Sequence, residues 1–211
     1  MVRRTKEEAE QTRHQILDAA ESLFYRQGVG RTSLEEIARK AGVTRGAVYW
    51  HFRNKVDLFE AMQERGRLPQ EDLIEQLARN EADDPLLTLR EACGEALRLI
   101  AGDERRRRIC SILMHRCEYV EEMGDAAIRQ HRNKQHMVEQ LGRIFENAAR
   151  LGTLSRNWPP RLAALGLHGM MHGLLSDWLS DPAQGDLAEY GPPCVEAFFK
   201  GLVRGSPEET P

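Results

Sequence analysis

The most informative stretch of the sequence is SLEEIARKAGVTRGAVYWHF, residues 33–52. Two helices that cross steeply over a short turn need a small side chain at the crossing and a residue tolerant of positive φ in the turn. Ala38 and Gly42, four residues apart, meet these two requirements. Apolar side chains for packing between the two helices are available at Ile37, Val43 and Val48. The stretch therefore predicts a helix-turn-helix.

Polar residues at the expected helix ends are typical N-caps. Thr44 is expected to cap the second helix of the motif, and Asn54 the helix that follows. Upstream, the run TSLE at 32–35 matches a capping box, in which the Thr32 hydroxyl accepts a hydrogen bond from the Glu35 amide and the Glu35 side chain reaches back.

The second helix of the motif carries cations beside aromatic rings, at Arg45, Tyr49, Trp50 and His51. When such side chains are exposed, they suit contact with phosphates and base edges. Two structural alternatives stay open at this point. Any helical hairpin with a glycine in its turn shares part of the pattern, and Trp50 can equally pack beneath the helix. The agreement of several spacings favours a DNA-binding motif.

The remainder of the chain shows helical periodicity, and alternating β patterns of any length are absent. The periodic segments are 7–27, 55–80, 86–101, 104–120, 125–151, 160–180 and 187–204. The prediction is an all-α fold of about nine helices, with a three-helix N-terminal domain and a larger helical C-terminal domain. The expected spans are 1–54 for the helix-turn-helix domain, 55–205 for the C-terminal domain and 206–211 for a disordered tail.

Composition and charge narrow the possible environments of the protein. The net charge is −3, but residues 1–60 hold eleven Lys or Arg against nine Asp or Glu, so the cationic excess lies at the N-terminal end. No apolar run reaches the roughly 18 to 20 residues that span a bilayer. The first residues are charged rather than apolar, so we expect a cytoplasmic protein with no membrane association.

The cysteine and histidine positions give little support for an enzyme or a metal site. Cys93, Cys110, Cys117 and Cys194 lack CxxC spacing and are interpreted as small buried hydrophobes. His168 and His172 have metal-ligand spacing, but no third ligand accompanies them and Gly169 stands where a zinc hydrolase needs Glu. A metal-dependent enzyme is the remote alternative, and no cofactor is expected.

The run Arg105–Arg108 resembles a nucleic-acid patch in composition alone. Four consecutive arginines on a helix point to all of its faces. Acidic residues flank the run at Asp103, Glu104, Glu118, Glu121 and Glu122. Salt bridging is therefore the favoured interpretation.

Longer stretches resemble a known family. The run TSLEEIARKAGVTRGAVYWHFRNKVDLFEAM, residues 32–62, resembles the DNA-binding region of TetR-family repressors. MVRRTKEEAEQTRHQILDAAESLFYRQGV, ERRRRICSILMHRCEYVEEM and GLLSDWL resemble, more narrowly, the AcrR-like repressors of multidrug efflux operons. The resemblance implies a homodimer that binds a pseudo-palindromic operator in double-stranded DNA and is released by a small hydrophobic or aromatic effector.

The resemblance also implies roles for individual residues. Thr44, Arg45 and Gly46 open the recognition helix in the major groove. Tyr49 and His51 contact phosphate or base edges, with Trp50 beside them. In the neighbouring segments, the residues expected to contact phosphate are Thr32, Ser33 and Lys55.

Two helical faces are candidate walls of an effector pocket, since each gathers apolar and imidazole side chains at i, i+3, i+4 and i+7. The first comprises Cys110, Leu113, Met114 and Cys117, and the second His168, Met171, His172 and Leu175. Taken by themselves, the residues favour an ordinary core over a pocket. The family resemblance favours a pocket, and it adds Ala96 and Met137.

The last two segments offer more apolar side chains than one protomer needs to bury, so they are the candidate dimer face. Its members are Leu162, Leu165, Gly166, Trp178, Val195, Phe198, Phe199 and Leu202. Gly166, Gly169 and Gly173 allow close approach of a second helix. One alternative keeps this fold and changes the control: an activator, or a regulator of a flavonoid, acyl-CoA or autoinducer response.

Overall fold

The computed structural model describes residues 6–79, 82–117, 124–181, 183 and 185–203. Over these residues the chain forms helices and no strand, apart from one isolated bridge between Leu154 and Val203. The helices are α1 (Lys6–Gln27), α2 (Leu34–Ala41), α3 (Arg45–His51), α4 (Lys55–Arg65), α5 (Pro69–Ala78), α6 (Pro85–Gly102), α7 (Glu104–His115), α8 (Gly124–Leu151), α9 (Pro160–Ser180) and α10 (Leu187–Leu202). The predicted all-α fold is confirmed. The predicted tail at 206–211 lies outside the described residues.

The described ranges hold ten helices rather than nine because the predicted segment 55–80 divides into α4 and α5. Gly66 ends α4, and its N–H donates to the Gln63 and Glu64 carbonyls. A β-carbon on Gly66 would lie 2.8 Å from the Ile109 side chain, so a larger residue does not fit there. Pro69 then opens α5, where its missing N–H costs nothing.

The chain packs into two compact units. The head unit is formed by residues 1–67 and 105–129, and the body unit by residues 68–104 and 130–211. The head unit therefore combines the helix-turn-helix with α4 and α7, whereas the predicted domain boundary falls between α3 and α4. Helix α8 contributes residues to both units.

The core of the head unit draws its apolar side chains from five helices. Phe24 of α1 and Phe59 of α4 meet edge to face, with ring centroids 6.3 Å apart. Val48 anchors α3 in this core, and Ile109 and Ile112 anchor α7. Helices α3 and α7 therefore pack on one common core.

In the body unit, α10 packs along α6. Gly191 makes this approach possible, because a β-carbon there would lie 2.8 Å from Leu97. Trp178 of α9 is buried, and its indole N–H donates to the Gly185 carbonyl at 3.1 Å. Across the described parts of the chain, no helix is both long enough and apolar enough to cross a bilayer.

The cysteines occupy different environments. Cys93 is buried in α6, and this burial raises the pKa of its thiol to about 12. Cys110 and Cys117 are half-buried, whereas Cys194 is exposed. The prediction of a buried hydrophobe is therefore right for Cys93 and wrong for Cys194, whose neighbours on α10 take the inward-facing positions.

Candidate functional site

The N-terminus of α2 has a capping box, but one residue later than predicted. Ser33 is the N-cap: its hydroxyl accepts from the Glu36 amide at 3.2 Å, and the Glu36 carboxylate accepts from the Ser33 amide at 2.9 Å. These bonds lower the pKa of Glu36, with the Ser33 backbone amide as the largest cause. Thr32 is buried instead, and its hydroxyl donates to the Gly28 carbonyl at 2.7 Å. The predicted cap at Thr32 with Glu35 is wrong because that hydroxyl is used inside the preceding loop.

The turn and the start of α3 are as predicted. Gly42 has φ 69°, in the left-handed region, and its N–H closes α2. Thr44 caps α3, and its hydroxyl accepts from the Ala47 amide at 3.2 Å. With Val48 buried beneath it, α3 is a short helix that leaves Arg45, Tyr49 and Trp50 exposed. The predicted helix-turn-helix is confirmed.

The outward face of α3 carries most of the predicted DNA contacts. Trp50 is 73% exposed and Tyr49 is 45% exposed, while Arg45 and Gly46 are also exposed. His51 is half-buried, and its ring meets that of Trp50 edge to face at 4.5 Å. The alternative that Trp50 packs beneath the helix is wrong. An exposed tryptophan beside cations suits a surface that becomes covered by a partner.

Arg45 and Tyr49 form a pair on this face. The Arg45 Nη2 donates to the Tyr49 hydroxyl at 3.3 Å. The guanidinium carbon lies 5.4 Å from the centroid of the Tyr49 ring. The two residues are four apart on the helix, which places their side chains on one face.

Lys55 opens α4 and is only 5% exposed. Its Nζ donates to the Thr32 carbonyl at 3.2 Å and to the Gly30 carbonyl at 3.4 Å. The Asn54 side chain caps this helix as predicted, by accepting from the Asp57 amide at 2.8 Å. Lys55 therefore fastens the loop before α2 to the start of α4, a role that its predicted phosphate contact did not include.

An open cavity of about 300 Å³ lies beside α3. Its lining is Gly30, Arg31, Thr32, Ser33, Leu34, Glu35, Arg45, Tyr49 and Lys55. Five of the nine predicted DNA-binding residues thus meet here, whereas Thr44, Gly46, Trp50 and His51 lie outside it. The lining holds three cations, Arg31, Arg45 and Lys55, and one carboxylate, Glu35, and this balance of charge suits an anionic partner. Sequence reasoning missed Arg31, although a cation directly before the Thr32–Ser33 pair was a usable signal.

Two arginines of the run, Arg105 and Arg108, form salt bridges with acids on α1. Arg108 meets the Glu21 carboxylate at 3.1 Å, and Arg105 meets Glu21 at 3.6 Å and Asp18 at 3.2 Å. Arg65 of α4 also reaches Asp18, at 2.8 Å. Glu118, Glu121 and Glu122, named as flanking acids, lie outside the described residues.

The predicted effector residues fall on both units. In the head unit, Leu113 and Cys117 pack against the core, and Cys110 and Met114 are half-buried. In the body unit, Ala96 is buried, His172 is exposed, and the half-buried members are Met137, His168, Met171 and Leu175. A common pocket therefore stays a prediction.

His168 and His172 stack with ring centroids 6.2 Å apart. Burial, followed by Lys134 and His172, lowers the pKa of His168. The lowered pKa favours the neutral form of His168, whose imidazole can both donate and accept a hydrogen bond. In the part of the chain that the structure describes, no three His, Cys, Asp or Glu side chains are placed to hold a metal ion.

The predicted dimer face divides into buried and exposed members. Trp178, Val195, Phe199 and Leu202 are buried within their own unit, so they offer no surface to a second chain and the prediction is wrong for them. Leu162 and Leu165 are 54% and 46% exposed on α9. Gly166 sits against the half-buried Phe198 ring, 3.3 Å from where its β-carbon would be. For Leu162, Leu165, Gly166 and Phe198 the dimer face stays a prediction.

Comparisons with known proteins agree along most of the chain. The model of bacterial regulatory proteins of the TetR family matches residues 16–62, and that of the C-terminal region of MAATS-type transcriptional repressors matches residues 84–203. The HTH-type transcriptional repressor BepR of Brucella suis biovar 1 (strain 1330) is 38% identical over 201 residues, which cover 95% of this chain and 96% of BepR.

Two crystal structures are similar over nearly their full length. NalD, the secondary repressor of the MexAB-OprM multidrug efflux pump in Pseudomonas aeruginosa, is 44% identical with a TM-score of 0.85, covering 95% of this chain and 100% of NalD. SmeT, in its complex with triclosan, is 31% identical with a TM-score of 0.81, covering 95% of this chain and 99% of SmeT. SmeT is the repressor of the Stenotrophomonas maltophilia multidrug efflux pump SmeDEF.

Proposed function

The chain belongs to the TetR family of bacterial regulatory proteins, and we propose that it is a ligand-responsive repressor of a multidrug efflux operon. The observation that carries the proposal is the arrangement of α3. Thr44 caps it and Val48 anchors it, so Arg45, Tyr49 and Trp50 face outward beside a cation-lined cavity. Such a surface binds phosphates and base edges.

The proposal includes a homodimer on a pseudo-palindromic operator, acting in the cytoplasm, where the chromosome lies. One recognition helix contacts too few base pairs for useful specificity, so two-fold pairing of two heads is needed. Exposed Leu162 and Leu165 on α9 supply apolar surface for pairing. Repressors of efflux pumps among the relatives support the target class.

The effector is proposed to be a small hydrophobic or aromatic molecule. The SmeT relative binds triclosan, which belongs to this chemical class. In the body unit, Met171 supplies an adaptable thioether and His172 supplies an imidazole for a hydrogen bond. Release of DNA requires the effector to bind the DNA-incompetent state more tightly than the DNA-competent state.

The test uses the full-length protein, a fluorescent duplex of the intergenic region upstream of its gene, and triclosan. Anisotropy should show binding without triclosan and release with it. His172→Ala and Met171→Trp, both in the body unit, should keep wild-type affinity for the duplex and change the triclosan dose for release by about tenfold. His131→Ala, an exposed histidine on α8, is the matched control and should respond like wild type. If both pocket variants also respond like wild type, the pocket assignment is overturned.

A further inference from the structure

Arg45 is the first residue of α3, where an arginine side chain normally samples many rotamers. In this structure two contacts restrict it. Its Nη2 donates to the Tyr49 hydroxyl at 3.3 Å, and its guanidinium lies over the Tyr49 ring. Both side chains stay exposed, so the pair orders a cation on an accessible surface.

The chemistry of the Tyr49 hydroxyl defines what the pair can do. A phenol has one proton to donate, and its oxygen also accepts. Because the oxygen accepts from Arg45, the phenolic proton is available to another acceptor, and a phosphate oxygen is the acceptor that we expect operator DNA to supply here. The guanidinium has five donors, and the bond to Tyr49 uses one of them.

We propose, resting on the operator binding proposed above, that Arg45 recognises a guanine in the operator and that Tyr49 is its positioning residue. Arginine donating to O6 and N7 of guanine is the commonest specific contact in the major groove. Tyr49 holds the guanidinium in place and links the base contact to the neighbouring phosphate. Tyr49 therefore determines specificity, although it touches no base.

The probe is the duplex that full-length wild-type protein enriches from a pool of random-sequence duplexes. Each guanine of one half-site is then replaced singly by 7-deazaguanine, which lacks the N7 acceptor and keeps the base pair. Dissociation constants are measured by anisotropy for wild type, Arg45→Ala, Arg45→Lys and Tyr49→Phe. The readout is the ratio of the two constants, modified over unmodified, so a uniform loss of affinity cancels.

Replacement of one particular guanine of the half-site by 7-deazaguanine should weaken binding of the wild-type protein about tenfold. Arg45→Ala should show almost no loss at that guanine, since alanine has no donor for N7, whereas Arg45→Lys keeps a donor without the planar fork and should show a loss between those of Arg45→Ala and wild type. Tyr49→Phe should reduce the ratio there to about threefold, because the guanidinium loses its hydrogen bond. Tyr25→Phe, a tyrosine of α1 with 44% exposure, is the matched control and should keep the wild-type ratio.

A Tyr49→Phe ratio equal to that of wild type would overturn the positioning role, whether or not all duplexes bind more weakly. A wild-type ratio near one at every guanine would overturn the base contact of Arg45. Failure of the wild-type protein to enrich any duplex would overturn the proposed function itself, and is thereby distinguished from failure of this inference alone.

Discussion

At the scale of single residues, Lys55 uses its charge inside the protein. Its ammonium donates to the Thr32 and Gly30 carbonyls, more than twenty residues earlier in the chain. Hydrogen bonds to a charged group contribute more to the stability of the fold than hydrogen bonds between neutral groups do. Lys55 therefore stabilises the loop that presents Ser33 and Arg31 to the cavity.

Lys55→Met keeps the apolar stem and removes the ammonium. We expect the free energy of unfolding to fall by about 2 kcal/mol, as the buried Thr32 carbonyl and the partly buried Gly30 carbonyl lose a charged donor. Urea denaturation measures this. Arg53→Met is the matched control: the Arg53 side chain is 87% exposed in its ion pair with Asp57, so its loss should cost less than about 1 kcal/mol. Equal costs for the two variants would contradict the structural role of Lys55.

Residue-scale features were predictable where their causes are local. Gly42, Thr44 and Asn54 act within four residues of themselves, so their spacing in the sequence was sufficient. Thr32 and Ser33 offered two capping registers one residue apart. The choice depends on the Gly28 carbonyl, which takes the Thr32 hydroxyl, and only the folded loop shows that.

At the scale of elements, α7 is attached near its start to α1 and just beyond its end to the loop that follows α1. Near its start, Arg105 and Arg108 surround the buried Glu21 carboxylate. Just beyond its end, the Arg116 carbonyl accepts from the Val29 amide at 2.9 Å. Helix α7 is therefore part of the head unit, where Ile109 and Ile112 share a core with Val48 of α3.

Glu21 gives this attachment a dependence on pH. Burial raises the pKa of Glu21, while Arg108 and Arg105 oppose that shift. A carboxyl whose pKa is raised on folding binds its proton more tightly in the folded state. As pH falls from the raised pKa of Glu21 towards the ordinary glutamate range, wild type should therefore gain stability relative to Glu21→Gln.

Urea denaturation of both proteins across that pH window measures the difference. Glu10→Gln, an exposed carboxylate on α1, controls for the loss of a carboxyl group. A difference between wild type and Glu21→Gln that stays constant with pH, or that shrinks as pH falls, would contradict the assigned direction.

Helices were predictable as elements because their apolar periodicity is local, but their grouping was not. The segment 55–80 keeps a helical period across Gly66 and Pro69, which hides the break between α4 and α5. The close approach of Gly66 to Ile109 has no sequence signal, since the partner lies more than forty residues away. For the same reason, the sequence does not show that Arg105 and Arg108 pair with acids on α1.

At the scale of the whole molecule, the sequence of an apolar helical face does not show which neighbour packs against it. Val195 and Phe199 of α10 have the pattern of an interface, yet they are buried in their own unit, where α10 packs along α6. Leu162 and Leu165 on α9 are left exposed. The proposed dimer therefore rests on a smaller surface than the sequence suggested.

The most direct test of the central claim, that this is a two-fold operator-binding repressor, is DNase I footprinting of the upstream intergenic region with the full-length protein. Two recognition helices that enter successive turns of one DNA face lie about 34–36 Å apart, or 10–10.5 base pairs. The account predicts protection of a pseudo-palindrome whose half-site centres have this spacing, and loss of protection in Arg45→Ala at the same protein concentration. Protection of a single asymmetric half-site, or an unchanged footprint in Arg45→Ala, would contradict it.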